Sequence, residues 1–182
     1  MIALSIFLAG VFTVVAFGVL AAWSDIRGMT IPNLYSSLII GAFMLCYLFL
    51  WLLGRDDVFG SLFSHLTSAL IVFLITLMMF MAKAIGAGDA KLATAFAFWV
   101  GIKGLFPFVF FMSVVGGLLG LASLALRKWT PVQNPPPESW VARVQAGESK
   151  VPYGVAIVAG ALASFMEIGY FDLDVLASFV LG

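Results

Sequence analysis

IALSIFLAGVFTVVAFGVLAAW, residues 2–23, is an unbroken uncharged run that stops at Ser24-Asp25-Ile26-Arg27. A hydrocarbon core of about 30 Å takes roughly 20 apolar residues of helix, so this run has the length of a membrane span. It lacks the basic n-region of a signal peptide and is longer than an h-region, and it reads as a retained first helix. Outward from it, similar runs lie at 34–53, 61–82, 90–102, 105–126 and 152–168, with an apolar piece at 173–181 too short to cross alone. Lipid offers no partner for backbone N–H and C=O groups, which restricts spans to helices or closed barrels, and these runs do not alternate as barrel strands do. The expected fold is all-α, a polytopic transmembrane helical bundle of about six spanning helices. The fourth run, 90–102, is short and could instead re-enter on its own side, but loop charges favour six crossings. No internal repeat or boundary divides residues 1–182, so one domain is expected. The segment 127–151, with Pro131 and Pro135-Pro136-Pro137, reads as an exposed linker within it.

Composition narrows the function. Of 182 residues, 63% are hydrophobic and 10% charged, less than half the charged share of a soluble domain and the opposite of a disordered chain. Nine Lys+Arg balance nine Asp+Glu, which leaves no basic face for nucleic acid. One cysteine, Cys46, and one histidine, His65, permit no internal disulfide, no Cys-rich zinc site and no conventional multi-His metal site. Neither a metal nor an organic cofactor is expected.

Basic residues in alternate connections set the orientation, because they resist translocation. One set of loops holds Arg27, Lys83, Lys91, Arg127, Lys128, Arg143 and Lys150; the other holds Arg55 and Lys103 beside Asp56, Asp57, Glu167, Asp172 and Asp174. The first set should be cytoplasmic. This expects a multi-pass protein of the cytoplasmic membrane with its N-terminus outside and loops 24–33, 83–91 and 127–151 inside.

Two acidic residues fall at the cytoplasmic ends of helices: Asp25 after the first run, and Asp89 at the start of the fourth in Gly86-Ala87-Gly88-Asp89-Ala90-Lys91-Leu92. Either alone reads as a helix cap or a solvated interfacial side chain. Together they lie at one depth on one side and can meet. Two adjoining carboxylates do not readily ionise at once, so they share a proton and serve as base and acid, the aspartic-protease arrangement. Other means of activating water are missing. A zinc peptidase of the His-Glu-x-x-His kind needs two histidines. His65 has no triad partners and reads as an ordinary interfacial histidine at the outer end of the third run. Cys46 lies mid-span without a basic partner and reads as packing. Two rival readings remain: a small proton-coupled transporter carrying protons on Asp25 and Asp89, and a noncatalytic membrane subunit of an assembly machine.

The motif Gly86-x-Gly88-Asp89 followed by Ala90-Lys91-Leu92 resembles the Gly-x-Gly-Asp motif of type IV prepilin peptidases. Asp25, five intervening residues, then Ile31-Pro32-Asn33 resembles that family's first-aspartate motif, and Val151-Pro152-Tyr153-Gly154 is similar to its C-terminal segment. The resemblance covers nearly the whole chain, with the motifs in order. It implies an intramembrane aspartyl protease that removes the short, basic leader of a prepilin-like membrane protein at the cytoplasmic face, with Asp25 and Asp89 as its dyad. Longer bacterial relatives carry a cytosolic domain with paired cysteines after their first helix and also N-methylate the product; this chain has a ten-residue loop at 24–33 and no CxxC, which speaks against methylation. The compact form is more similar to the short peptidases of tight-adherence, Flp-type pilus systems than to archaeal preflagellin peptidases.

Around the dyad, Gly86 and Gly88 let backbone approach Asp89 closely. Pro32 and Asn33 stop the loop and open the second helix, Asn33 acting as its cap. Lys91 and Arg27 read first as cations snorkelling to headgroups. Tyr153 reads equally as a substrate-orienting group and as part of the aromatic belt; Pro152 and Gly154 flank it. Phe106 to Phe111 is lipid-facing or packing surface.

Overall fold

The computed structural model describes residues 1–181. Among them the chain forms α1 (Ile2–Gly28), α2 (Asn33–Leu52), a 3-10 turn (Asp56–Val58), α3 (Leu62–Met81), α4 (Ala87–Trp129), α5 (Trp140–Gln145), α6 (Tyr153–Glu167) and α7 (Leu173–Leu181), with no strand. α1, α2, α3 and α4 are each long and apolar enough to cross a bilayer; α6, with 15 residues, is shorter. Large apolar side chains cover the outside, among them Phe12, Phe63, Met78, Leu118 and Leu124, as expected where lipid is the solvent. A small aromatic core of Phe7, Phe43, Phe96, Trp99 and Phe165 is fully enclosed. Cys46 is buried in packing, and Phe108 points inward while Phe106 and Phe110 stay outside.

α4 has 43 residues because helix continues on both sides of a break at Gly101, where φ is 58° and ψ is −172°. Three hydrogen bonds show that the chain reverses there. Gly154 N–H to Asp25 Oδ2 joins the start of α6 to the end of α1. Tyr170 O–H to the Trp99 carbonyl (2.7 Å) joins the chain beyond α6 to the residues before the break, and Ser164 O–H to the Gly104 carbonyl (2.8 Å) joins α6 to the residues after it. Residues 87–100 therefore run away from the Asp25 end and 102–129 run back beside α6. The bundle is traversed six times. The short limb 87–100, about 20 Å at 1.5 Å per residue, crosses the bundle instead of re-entering. It is well enclosed: Leu92, Ala93, Ala95, Phe96, Ala97, Trp99 and Val100 are all buried.

The reversal removes the bond an unbroken helix would make from Ile102 N–H to the Phe98 carbonyl. α3 replaces both halves. Ser64 Oγ accepts the Ile102 N–H at 3.0 Å, and His65 Nδ1 donates to the Phe98 carbonyl at 2.6 Å. His65 Nε2 lies 2.8 Å from the Phe59 carbonyl. His65 is thus not interfacial as its sequence neighbourhood implied; it is 2% exposed because a broken helix inside protein needs substitute partners. Only glycine suits position 101, since a Cβ there would stand 3.1 Å from His65 Cε1 on backbone of positive φ.

Small residues let the return limb of α4 lie close to α6. A Cβ on Gly160 would come within 2.6 Å of the Phe108 carbonyl oxygen, the close backbone approach expected of helices packing in lipid. Residues 130–151 connect the return limb of α4 to α6, and part of this largely exposed connection is anchored to the bundle. α5 is capped by Ser139 Oγ, Val144 is buried, and the Trp140 indole N–H donates to Ser123 Oγ and to the Lys150 carbonyl, each at 3.1 Å. A helix of six residues is too short to print a period on the sequence.

Candidate active site

α1 continues past Trp23, so Asp25 sits in its last turn on the stripe Val14, Gly18, Ala21, Asp25 that faces the core. It is 4% exposed, which removes the solvated-interface reading. α1 ends where Met29 takes a left-handed conformation, φ 53°, and its N–H donates to the Asp25 carbonyl. The Ser24 hydroxyl then ties the Thr30 carbonyl back at 2.8 Å. This knot holds residues 29–31 beneath the carboxylate.

The partner of that carboxylate comes from the other end of the chain. Pro152, buried, is the N-cap of α6, and Gly154 lies one residue beyond Tyr153 in the first turn, where N–H groups have no intrahelical acceptor. Gly154 N–H donates to Asp25 Oδ2 at 2.7 Å, at a helix end that favours negative charge. A Cβ at 154 would sit 3.0 Å from Asp25 Oδ2 and 3.0 Å from Ile31 Cδ1.

Asp89 stands in the first turn of α4. Gly86 is the N-cap, and the Asp89 side chain reaches back so that Oδ2 accepts the Gly86 N–H at 3.0 Å. Asp89 thus serves as a cap, and the same geometry fixes its carboxylate. A Cβ at 88 would lie 3.1 Å from Ile31 Cβ, so Ile31 is wedged between the two glycines of separate motifs. Asp25 and Asp89 line one cleft of about 280 Å³, completed by Met29, Thr30, Ile31, Gly86, Ala87 and Gly88. Among the described residues, neither aspartate Oδ1 has an intramolecular hydrogen-bond partner.

Several expected neighbours do other work. Asn33 does not cap α2: Pro32 is the N-cap, and Asn33 Oδ1 instead accepts from Lys91 Nζ at 2.9 Å. Position 33 is already helical, and its amide is turned toward α4. Lys91 therefore braces α2 against α4 and does not extend freely to headgroups. Arg27 stacks over Trp23, 4.7 Å from the ring centroid. Tyr153 packs toward Gly116 and is 38% exposed; it is not a wall of the cleft. Met29 and Thr30 were not singled out from sequence, and Ile31 stood there only as part of a motif and not as a wall of the cleft. Ile31, immediately before Pro32, belongs to the aspartate motif 25–33, which also holds Ile26 and Met29, so apolar character alone did not mark it out.

With both aspartates on one cleft, the comparison with known families becomes decisive. The sequence profile of the type IV leader peptidase family matches residues 2–121. The chain belongs to the type IV leader peptidase family. No curated protein sequence and no solved structure matches it significantly. The matched region contains Asp25 and Asp89 and ends before Gly154, so the α6 contact with Asp25 comes from the fold alone. This leader peptidase is a multi-pass membrane protein of a family that acts on prepilin substrates.

Proposed function

We propose that this leader peptidase is an aspartic endopeptidase in which Asp25 and Asp89 form the catalytic pair, removing the short basic leader of Flp-type pilin precursors at the cytoplasmic face of the inner membrane. The observation that carries the reading is the cleft itself: two carboxylates from distant segments, each held through Oδ2 by a backbone N–H and each presenting Oδ1 without an internal partner. Hydrolysis then follows from chemistry common to carboxylate pairs. The ionised aspartate takes a proton from water as its oxygen attacks the scissile carbonyl, and the protonated one donates to the carbonyl oxygen. Collapse of the tetrahedral diol, with a proton delivered to the amide nitrogen, breaks the C–N bond. The apparent proton affinities belong to the pair, so the roles are assigned to the dyad and not to either residue.

The charge distribution supports the cytoplasmic assignment. Arg27, Lys83 and Lys91 lie at the aspartate end, whereas Arg55, paired with Asp57 at 3.6 Å and bonded to the Ser178 carbonyl, belongs to the opposite end with α7. A scissile bond in a helix hides its carbonyl in the helical hydrogen bonds, so the substrate must unwind locally to enter the cleft. The test is incubation of detergent-solubilised protein with a prepilin-like precursor, read as the size of the product. Wild type should shorten the precursor, and Asp25→Asn and Asp89→Asn should not. A folded Asn variant that still cleaves would refute the dyad, and an uncut precursor with wild type would favour the transporter or assembly-subunit readings.

A further inference from the structure

The family profile stops at residue 121, yet the N–H that holds Asp25 belongs to Gly154. The segment that leads into Gly154 is itself clipped to the bundle. α5 packs against both α4 and α1. Its first residue, Trp140, shares one indole N–H between Ser123 Oγ on the return limb of α4 and the Lys150 carbonyl, each at 3.1 Å. The Ser123 hydroxyl closes the triangle by donating to the same carbonyl at 3.4 Å. Ser123 is buried, so the clip is made on the packed side of α4. Other ties of the connection, Arg143 with Glu138 and Glu148 and Lys150 with Glu148, are exposed ion pairs that hold little in water.

Little slack separates this clip from the carboxylate. Pro152 is buried, and its ring fixes φ at −75°. Tyr153 N–H donates to the Val151 carbonyl at 2.9 Å, which closes a tight three-residue turn. The next N–H along the chain is that of Gly154, on Asp25 Oδ2 at 2.7 Å. Farther along α6 the Ser164 hydroxyl bonds the Gly104 carbonyl, about 15 Å from Gly154 at 1.5 Å per residue. That bond steadies the far end of α6 and leaves the first turn, where helices fray, to nearer partners.

We infer that Trp140 is a positioning residue for the peptidase reaction: by clipping the Lys150 carbonyl to Ser123 it sets the first turn of α6, and through the Gly154 N–H it aims Asp25 into the cleft. The assignment rests on the peptidase reading. Trp140 does not line the cleft; it acts on the carboxylate only through the backbone of 150–154.

The test uses full-length protein in detergent with an intact prepilin-like precursor. Trp140→Phe keeps an aromatic ring and removes the N–H. Its kcat should fall about tenfold as Asp25 is mis-aimed by a fraction of an ångström, while KM stays within about twofold. The deciding measurement pairs it with Gly154→Ala. If Trp140 works through Gly154, the double variant should be no slower than Gly154→Ala, whereas an independent structural loss would multiply. Amide exchange at residues 151–156 should quicken in Trp140→Phe, and exchange at 160–167 should match wild type. An unchanged kcat, a loss confined to KM, multiplying losses in the double variant or unchanged exchange at 151–156 would overturn the assignment and leave the peptidase intact. If Trp140→Phe does not fold, Ser123→Ala, which takes the hydroxyl out of the triangle, is read by the same split and the same pairing, and a full kcat there would overturn the assignment equally. Failure of wild type to cut the precursor would overturn the peptidase reading, and the positioning role with it.

Discussion

Gly154 donates its backbone N–H to Asp25 Oδ2 at 2.7 Å, tying positions 129 residues apart across the aspartate end of the bundle. The contact requires glycine for lack of space, since an added Cβ would lie about 3 Å from the carboxylate and from Ile31 together. Gly154→Ala should lower the cleavage rate by about tenfold to a hundredfold, the scale of displacing a reacting group by a fraction of an ångström to an ångström. Precursor cleavage by purified variant, normalised to folded protein by thermal melting, checks this.

Asp25→Asn and Asp89→Asn each keep an oxygen able to accept from Gly154 or Gly86, so folding should survive. Proton transfer should not. Loss of at least about a hundredfold in cleavage is expected for each, and the double variant should be no worse than either single, because the pair acts as one unit. Single-turnover assays of all three variants measure it.

Gly101 and His65 govern stability at a distance from the cleft. Gly101→Ala places a side chain on positive-φ backbone against the imidazole and should destabilise by about 1–3 kcal/mol. His65→Phe leaves the Phe98 carbonyl unsatisfied inside protein and should cost about the same. Both variants should melt earlier in detergent, while the surviving folded molecules retain near-normal kcat.

Topology is tested by labelling. In a Cys46→Ala background, Asp174→Cys should react with an impermeant maleimide added outside intact cells, and Ser149→Cys should react only after the membrane is opened. The reverse pattern would invert the bundle and remove the cytoplasmic assignment of the aspartates.

Much of the fold was written in local sequence. The uncharged runs marked each passage, because hydrophobic length is a property of consecutive residues, and the six passages emerge with the limb 87–100 as short as its sequence. The reversal at Gly101 was less legible. Gly101-Ile102-Lys103-Gly104 separated two runs, but the partners that let a helix break there, Ser64 and His65, lie on another element. His65 was consequently placed at an interface when it is buried in the core. The same limitation hid α5, whose Trp140 is anchored to Ser123 and Lys150.

Sequence alone determined which segments are apolar enough to lie in lipid, about how many times the chain traverses the bundle and which two carboxylates stand out, since charge, apolar length and motif order are encoded position by position. The tertiary structure decided that those carboxylates share one cleft, that Gly154 orients Asp25, that Ile31 wedges between Gly88 and Gly154, and that Asn33 holds Lys91 instead of capping α2. These are contacts between surfaces of different helices, and they exist only once packing has fixed how each helix is rotated about its own axis.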